Sequence, residues 1–421
     1  MPSSPISHKV QQNLATRYKK EARFRILALL AVIFSLLFLA FLLGSVVMKG
    51  WTACEQTAIR LDIDFAEARL NPQGLSATDC ETLVHRALRQ LFPQATGQEE
   101  LGQLYKLMSM GAAFALQDLV TDRPSLLGTT SSVWLPAGTE VDMLAKGHSS
   151  RQLPASARQL SDRQLAFIDT LQKSGRLQKR FNTAFFHNGD SREPELAGIR
   201  GAAMGSVYTM LIILVLSFPI GAATAVYLEE FAPKSKITDL IEININNLAA
   251  VPSIIFGLLG LTLFLGLFGL PRSSPLVAGL VLTLMTLPTI IMTSRAAIQT
   301  VPQSIYEASL GLGASKIQTI MHHVLPSALP SMMTGSIIGM ARALGETAPL
   351  IMIGMVAFIA DVPHDISDPA TTLPVQIYLW ADSPGLGFVE RASAAILVLL
   401  FLLMLINAAA IYVRSKYERR W

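Results

Sequence analysis

The stretch VPQSIYEASLGLGASKIQTIMHHVLPSALP, residues 301–330, sits between two strongly apolar runs and is itself amphipathic. A helix can start at Ser304 or a neighbour, and Gly311 and Gly313 interrupt it. A second amphipathic stretch follows at 315–324, with Ile317, Ile320, Met321 and Val324 on one face. Leu325-Pro326 stops it, and the next apolar run begins. Two short helices around a glycine bend, lying flat under a membrane bundle, offer Glu307 and an apolar face to a groove in another protein. These residues alone also allow an amphipathic helix resting on lipid headgroups.

The surroundings make the membrane the solvent. Of 421 residues, 51% are hydrophobic and 15% are charged, and the mean hydropathy is +0.44. That is too apolar for an ordinary soluble chain. The apolar residues are gathered into six runs long enough to span hydrocarbon as helices: 25–48, 204–228, 244–268, 275–294, 329–353 and 394–413. The first is longer than a secretory signal core and has no A-x-A site after it, so it reads as an uncleaved span. Lys9, Arg17, Lys19, Lys20, Arg23 and Arg25 precede it, and Arg414, Lys416, Arg419 and Arg420 follow the last. The loop between spans five and six is acidic, with Asp361, Asp365, Asp368 and Asp382. Positive flanks put both termini, 1–24 and 414–421, on the cytoplasmic side of the inner membrane, which an even number of spans requires. The net charge of +4 is explained by those flanks and does not point to nucleic acid.

Between spans one and two lie about 150 polar residues, 51–200, which this topology puts outside the cytoplasm. They read as a small α-rich domain. Thr78 to Glu81 looks like a capping box ahead of a helix that Pro93 stops, 99–116 and 161–177 look helical, and 132–147 looks like a strand pair turning at Ala137-Gly138. The only two cysteines, Cys54 and Cys80, fall here and are the candidates for a disulfide; the alternative is two free thiols.

Within span five, ARALGETAPL at 341–350 places Arg342 and Glu346 one helical turn apart. Charges at membrane depth need a partner or a function. A salt bridge lowers the cost of burying either. Gly345 and Pro349 weaken the helix beside them, which predicts a break at 345–349 and a second short helix over 350–360. Arg342 lies about 24 Å along the helix from Pro326, at about 1.5 Å per residue, hence in the outer half of the bilayer. Its guanidinium suits an oxyanion, and Glu346 can hold it when the anion is absent. The competing role is an ion pair that fixes the break or a subunit contact. Asn246, Asn247, Ser253, Thr286 and Thr289 are further candidates for the path, or for helix-to-helix hydrogen bonds. Arg295 reads as a positive-inside anchor.

Glu307-Ala308-Ser309, Gly313 and Leu325-Pro326 match in spacing the EAA loop of ABC importer permeases, with Ser309 for the last Ala and His323 for an Ile. SREPELAGIRGAAMGS (191–206), INNLAAVPSIIFGLLGL (245–261), ARALGETAPL and LPVQIYLWADSP (373–384) resemble the PstA family of phosphate-transport permeases, from about residue 182 to the C-terminus and more loosely over the insert. The resemblance implies an all-α membrane fold of six transmembrane helices of the type I ABC importer permease kind. It comprises span one (25–48), an inserted external domain (51–200) and a permease domain (201–413) with its coupling loop at 301–326. It further implies a second, PstC-like permease chain, a PstB-like ATPase dimer docking on that loop and a PstS-like periplasmic phosphate-binding protein. A permease for sulfate, molybdate or a phosphonate, or a non-transporting membrane scaffold or sensor, are the competing readings.

No G-x-x-x-x-G-K-[ST] loop occurs, so ATP hydrolysis is expected on separate subunits. No nucleophile–base motif stands out, no cofactor is implied, and no metal is expected: His322-His323 is an adjacent pair that points two ways on a helix.

Overall fold

The computed structural model describes residues 5–65, 76–151, 154 and 158–417, in two compact units, 1–49 and 50–421. The first unit is helix α1, Pro5–Gly50. Its apolar side chains between Phe24 and Met48 are exposed on every side. A helix apolar all round and this long is built to lie in lipid.

The second unit opens with the inserted domain. Its elements are β1 (Glu55–Asp64), α2 (Ala77–Leu91), α3 (Gln98–Tyr105), α4 (Ala112–Asp122), β2 (Thr130–Pro136), α5 (Thr139–Lys146), α6 (Asp162–Lys173), β3 (Leu177–Phe181) and α7 (Thr183–His187). The strands form an antiparallel sheet of order β2-β1-β3, with Ile59 opposite Leu135 on one side and Leu177 on the other. Ile59, Leu61 and Ile63 alternate with Arg60, Asp62 and Asp64 along β1, and the apolar set is buried against Val84, Leu88 and Phe92 of the α2 region and Leu116 of α4.

Several local expectations are corrected. The insert is α-rich as expected, but its organising strand, β1, lies at 55–64, where no strand was expected. The capping box ahead of α2 is Ser76 with Asp79, since the Ser76 hydroxyl accepts from the Asp79 N–H and Asp79 from the Ser76 N–H; Thr78 and Glu81 do not form it. The stretch 99–116 is two helices, α3 and α4. The stretch 132–147 is β2 followed by α5, not a strand pair: Glu140 and Asp142 favour a helix start and Gly147, at φ +82°, ends it.

The helical bundle follows: α8 (Arg200–Val226) with a wide turn Tyr227–Phe231, α9 (Lys236–Ala249), α10 (Ser253–Gly260) continued by Leu261–Leu267, α11 (Pro275–Gln299), α12 (Gln303–Gly311), α13 (Lys316–Thr319), a wide turn Ile320–Val324, α14 (Leu325–Leu344), α15 (Ala348–Met352), α16 (Leu373–Asp382) and α17 (Leu386–Tyr417). Among the described residues five helices are long and apolar enough to cross a membrane, or six if α9 and α10, bent by 101°, make one span. The helix α8 runs parallel to α11, with Gly279 against Ile212 and Gly221 against Ile290, while Gly335 of α14 packs on Thr293. Two interrupted spans meet: Gly257 of α10 lies on Pro349 of α15 so closely that a Cβ would come within 2.7 Å of Pro349 Cα. Backbone cannot yield as a flexible side chain does, so Gly257→Ala is expected to cost about 1–3 kcal/mol, read as a lower unfolding temperature in detergent. An unchanged unfolding temperature would show that the contact is not tight.

The break in span five is present, with a different continuation. Helix α14 ends at Leu344 and Pro349 sits in the first turn of α15, where its missing N–H costs nothing. Helix α15 stops at Met352 and Gly354 turns at φ +93°, so 353–372 is an irregular segment and not the rest of a helix.

Candidate functional site

Three groups of residues stand out, two of them expected. The first is the loop between α11 and α14. Ser309 is buried, its hydroxyl 2.9 Å from that of Thr319, which clamps α12 to α13 across the bend at Gly313 (φ +86°). The Ala-to-Ser departure therefore adds a hydrogen bond inside the loop. Glu307 and Ala308 face outward. Leu310, Leu312, Ile317 and Met321 are exposed, Leu312 by 90%, and His323 is exposed too, so its change from Ile removes no internal contact. Leu325 and Pro326 are half-buried at the start of α14.

The loop is tied to the bundle by charges that sequence reasoning missed. The Tyr306 hydroxyl donates to Glu230, and the Lys316 ammonium donates to the Glu230 carbonyl and lies 5.3 Å from the Phe231 ring centre. Burial first, then the Glu230 hydrogen bond, push the Tyr306 phenol upward, so it stays a donor. Arg295 is not a lone anchor. Its guanidinium reaches Glu229 at 3.3 Å and Glu242 at 2.9 Å, and Gln299 also donates to Glu229. The loop is thus fastened to the end of α8, which Arg295 links in turn to α9 and α11. The available signal was two acids, Glu229-Glu230, at the end of span two.

The second group surrounds the two interrupted spans. Arg342 and Glu346 are brought together, Nε to Oε1 at 3.7 Å, with the Arg342 side chain 58% exposed. That separation is an ion pair and not a hydrogen bond, so the forked donors remain available. Asn246 is exposed on α9 and Ser253 half-buried at the start of α10, flanking the bend. Non-helical backbone at membrane depth persists where it faces protein or a watery cavity. Thr286 departs from the expected set: it is 2% exposed and its hydroxyl donates to the Thr283 carbonyl at 3.1 Å, inside α11.

The third group was not anticipated. It sits where the insert meets the first turns of α17. Lys146 is fully buried between Asp142 (2.7 Å) and Glu390 (3.1 Å), both carboxylates 2% exposed. Asp142 also accepts from the Thr57 N–H at 2.8 Å. Arg391, 1% exposed, donates to the carbonyls of Pro194 (2.9 Å) and Ala53 (3.3 Å) and lies 5.3 Å over the Phe185 ring. Glu390-Arg391 between apolar neighbours was visible in the sequence, but starting span six at 394 leaves the pair outside it.

The candidate disulfide is not formed. Cys54 and Cys80 are free: Cys80 is inside the core of the insert, and Cys54 precedes β1 outside that core. Burial pushes the Cys80 thiol upward, which leaves it a weak nucleophile. Among the described residues no group of His, Cys, Asp and Glu could hold a metal ion.

A helical bundle with two interrupted spans and an exposed amphipathic loop marks a membrane protein, and comparison with known proteins gives its family. Residues 217–421 match the family described as binding-protein-dependent transport system inner membrane component, and residues 11–155 match a domain of unknown function, DUF3333. The "Phosphate transport system permease protein PstA 1" of Mycobacterium tuberculosis is 33% identical over 225 residues, 53% of this chain and 72% of that protein. The "Probable ABC transporter permease protein YqgI" of Bacillus subtilis is 35% identical over 193 residues, 43% of this chain, and the chain spans 65% of its length. Among solved structures, the inward-facing MetNI methionine ABC transporter matches at 20% identity and a TM-score of 0.43, over 52% of this chain and 96% of that one. The chain belongs to the binding-protein-dependent ABC permeases, as a PstA-like member.

Proposed function

We propose that this chain is the transmembrane permease subunit of an ATP-driven phosphate importer in the cytoplasmic membrane, with both termini cytoplasmic and residues 51–200 outside. The observation that carries the reading is the α12–α13 loop: it presents Glu307, Leu310 and Leu312 outward while Tyr306 and Lys316 fasten it to the bundle and Ser309 clamps its two helices together. Such a surface suits docking on an ATPase dimer. A second permease chain completes the path, and a phosphate-binding protein delivers the substrate from outside. These partners correspond to the PstB-, PstC- and PstS-like proteins. ATP-driven closure of the ATPases would displace α12 and α13, and the links through Glu229, Glu230 and Arg295 pass that displacement to α8, α9 and α11, rocking the bundle between its two openings.

Phosphate as the substrate is supported by the relatives' names and by the chemistry of Arg342, whose guanidinium is permanently charged and forked. Glu346 competes for it and keeps the anion from binding too tightly to leave. Arg342→Lys is expected to lower phosphate uptake about tenfold or more, since a charge-assisted bidentate contact contributes about 1.5–3 kcal/mol. Glu346→Gln is expected to alter uptake while the complex still assembles. Full phosphate uptake in both variants would remove the pair from the path, and failed assembly would make it structural. Uptake of sulfate or molybdate in place of phosphate by the unaltered complex would reassign the substrate.

A further inference from the structure

A cleft of about 910 Å³ opens between the inserted domain and the bundle end that carries it. One wall comes from α2, the 106–114 segment and the 138–140 turn; the other comes from 192–195, just ahead of α8, and from Pro384, Gly385 and Phe388 at the start of α17. An occupant therefore touches the insert and the outer ends of two spans at once. The lining is charged unevenly. Glu81, Glu140, Glu193 and Glu195 face Lys106 and Arg192, while burial lowers the pKa of His85 and keeps it neutral.

Four lining acids stand against two permanent cations. Glu140 lies against the uncharged Gln159 amide, and Glu195, which accepts from the Thr139 hydroxyl, also feels the buried Arg391 charge. Burial, and next the charge of Glu195, raise both Glu140 and Glu193 above the usual carboxylate range. At the rim Met110 and Phe114 stand out, 73% and 58% exposed, although large apolar side chains on a domain surface favour burial. Below them the floor is built from Met108, Ala112 and Ala113. An apolar rim continuing past an acidic cleft makes a contact area wider than a small molecule covers, and it matches interface anatomy: apolar anchors beside charges that choose the partner.

We propose that this cleft and its Met110–Phe114 rim are the docking site for a lysine- or arginine-bearing, apolar-tipped projection of the extracytoplasmic substrate-delivery protein. The inference rests on the importer reading above and adds to it the surface at which delivery occurs. Because the cleft is walled by both the insert and the start of α17, docking is reported to the bundle through the buried Lys146–Glu390 contact.

The test uses the whole transporter in lipid nanodiscs, titrated with its purified, phosphate-loaded binding protein, with stimulated ATP hydrolysis as the readout. Two variants are compared with the unaltered complex: Glu81→Gln/Glu140→Gln/Glu193→Gln, and Met110→Ser/Phe114→Ser. Each is expected to raise the half-saturating concentration of binding protein about tenfold, and the first also to flatten its salt dependence. The rim side chains are already solvent-exposed, so the second variant keeps its fold. A photo-cross-linker at position 110 should join the permease to the binding protein. Unchanged half-saturation in both variants, or a cross-link to a second copy of this chain, overturns the docking site while leaving the importer intact. Absence of any stimulation in the unaltered complex overturns both readings together.

Discussion

Lys146→Ala is expected to destabilise the second unit by about 3–5 kcal/mol, among the largest losses available to a single substitution in this chain. The reason lies in the asymmetry of buried ion pairs. Together the three charges offset one another's desolvation, with Lys146 fully buried and Asp142 and Glu390 each 2% exposed. Removing the cation leaves two carboxylates facing each other out of water. Asp142 still accepts the Thr57 N–H, but Glu390 loses its close cation and keeps His148, 3.9 Å away, and the charge of the neighbouring Arg391, which also holds hydrogen bonds to the Pro194 and Ala53 carbonyls. Scanning fluorimetry in detergent should show the loss as earlier unfolding, and limited proteolysis should cut the insert faster. The double variant Lys146→Met/Glu390→Leu is expected to be more stable than Lys146→Ala, because apolar groups of similar volume replace a buried pair at little cost. A Lys146→Ala protein within about 1 kcal/mol of the unaltered one would show that water or a rearrangement answers the acids, and that the insert is not fastened to α17 by charge.

Leu312→Asp is expected to have the opposite profile, intact folding with failed coupling. Leu312 is 90% exposed, so the substitution should change stability by no more than about 0.5 kcal/mol. At an interface the same side chain is an apolar anchor beside Glu307, and placing a carboxylate there opposes its burial. A loss of about 2 kcal/mol or more in ATPase association, roughly 30-fold in affinity, follows for a residue at the centre of a contact. Titration of the ATPase subunit onto the detergent-solubilised permease measures it, with phosphate uptake as the cellular readout. Association and uptake both unchanged would mean that the loop rests on lipid and that the docking surface lies elsewhere.

Some of this molecule was legible in its sequence for a simple reason. A bilayer demands long apolar runs and internally satisfied backbone, so 204–228, 275–294 and 394–413 had to be helices, and α8 with its wide turn, α11 and α17 cover them. The glycine bend at Gly313 was equally readable, because few residues other than glycine adopt φ +86° without strain. The insert was less legible. Its β1 alternation is only ten residues long and sits among helical patterns, and strand identity there is decided by partners 66 and more residues away, as in the pairing of Asp64 with Thr130. Cys54 and Cys80 were candidates for pairing by count and compartment, whereas the fold puts Cys80 in the core of the insert and Cys54 outside it.

The sequence by itself determined the apolar solvent, the long apolar helices and the glycine bend of the α12–α13 loop, since each is local: periodicity, run length and one glycine at one bend. Tertiary structure decided what the charges do. Arg295 became a bridge between Glu229 and Glu242, Thr286 turned into its own helix, and Lys146 met Glu390 across 244 residues of chain. Coulomb attraction and desolvation depend on distance in space and on access of water, and neither is written in the order of residues.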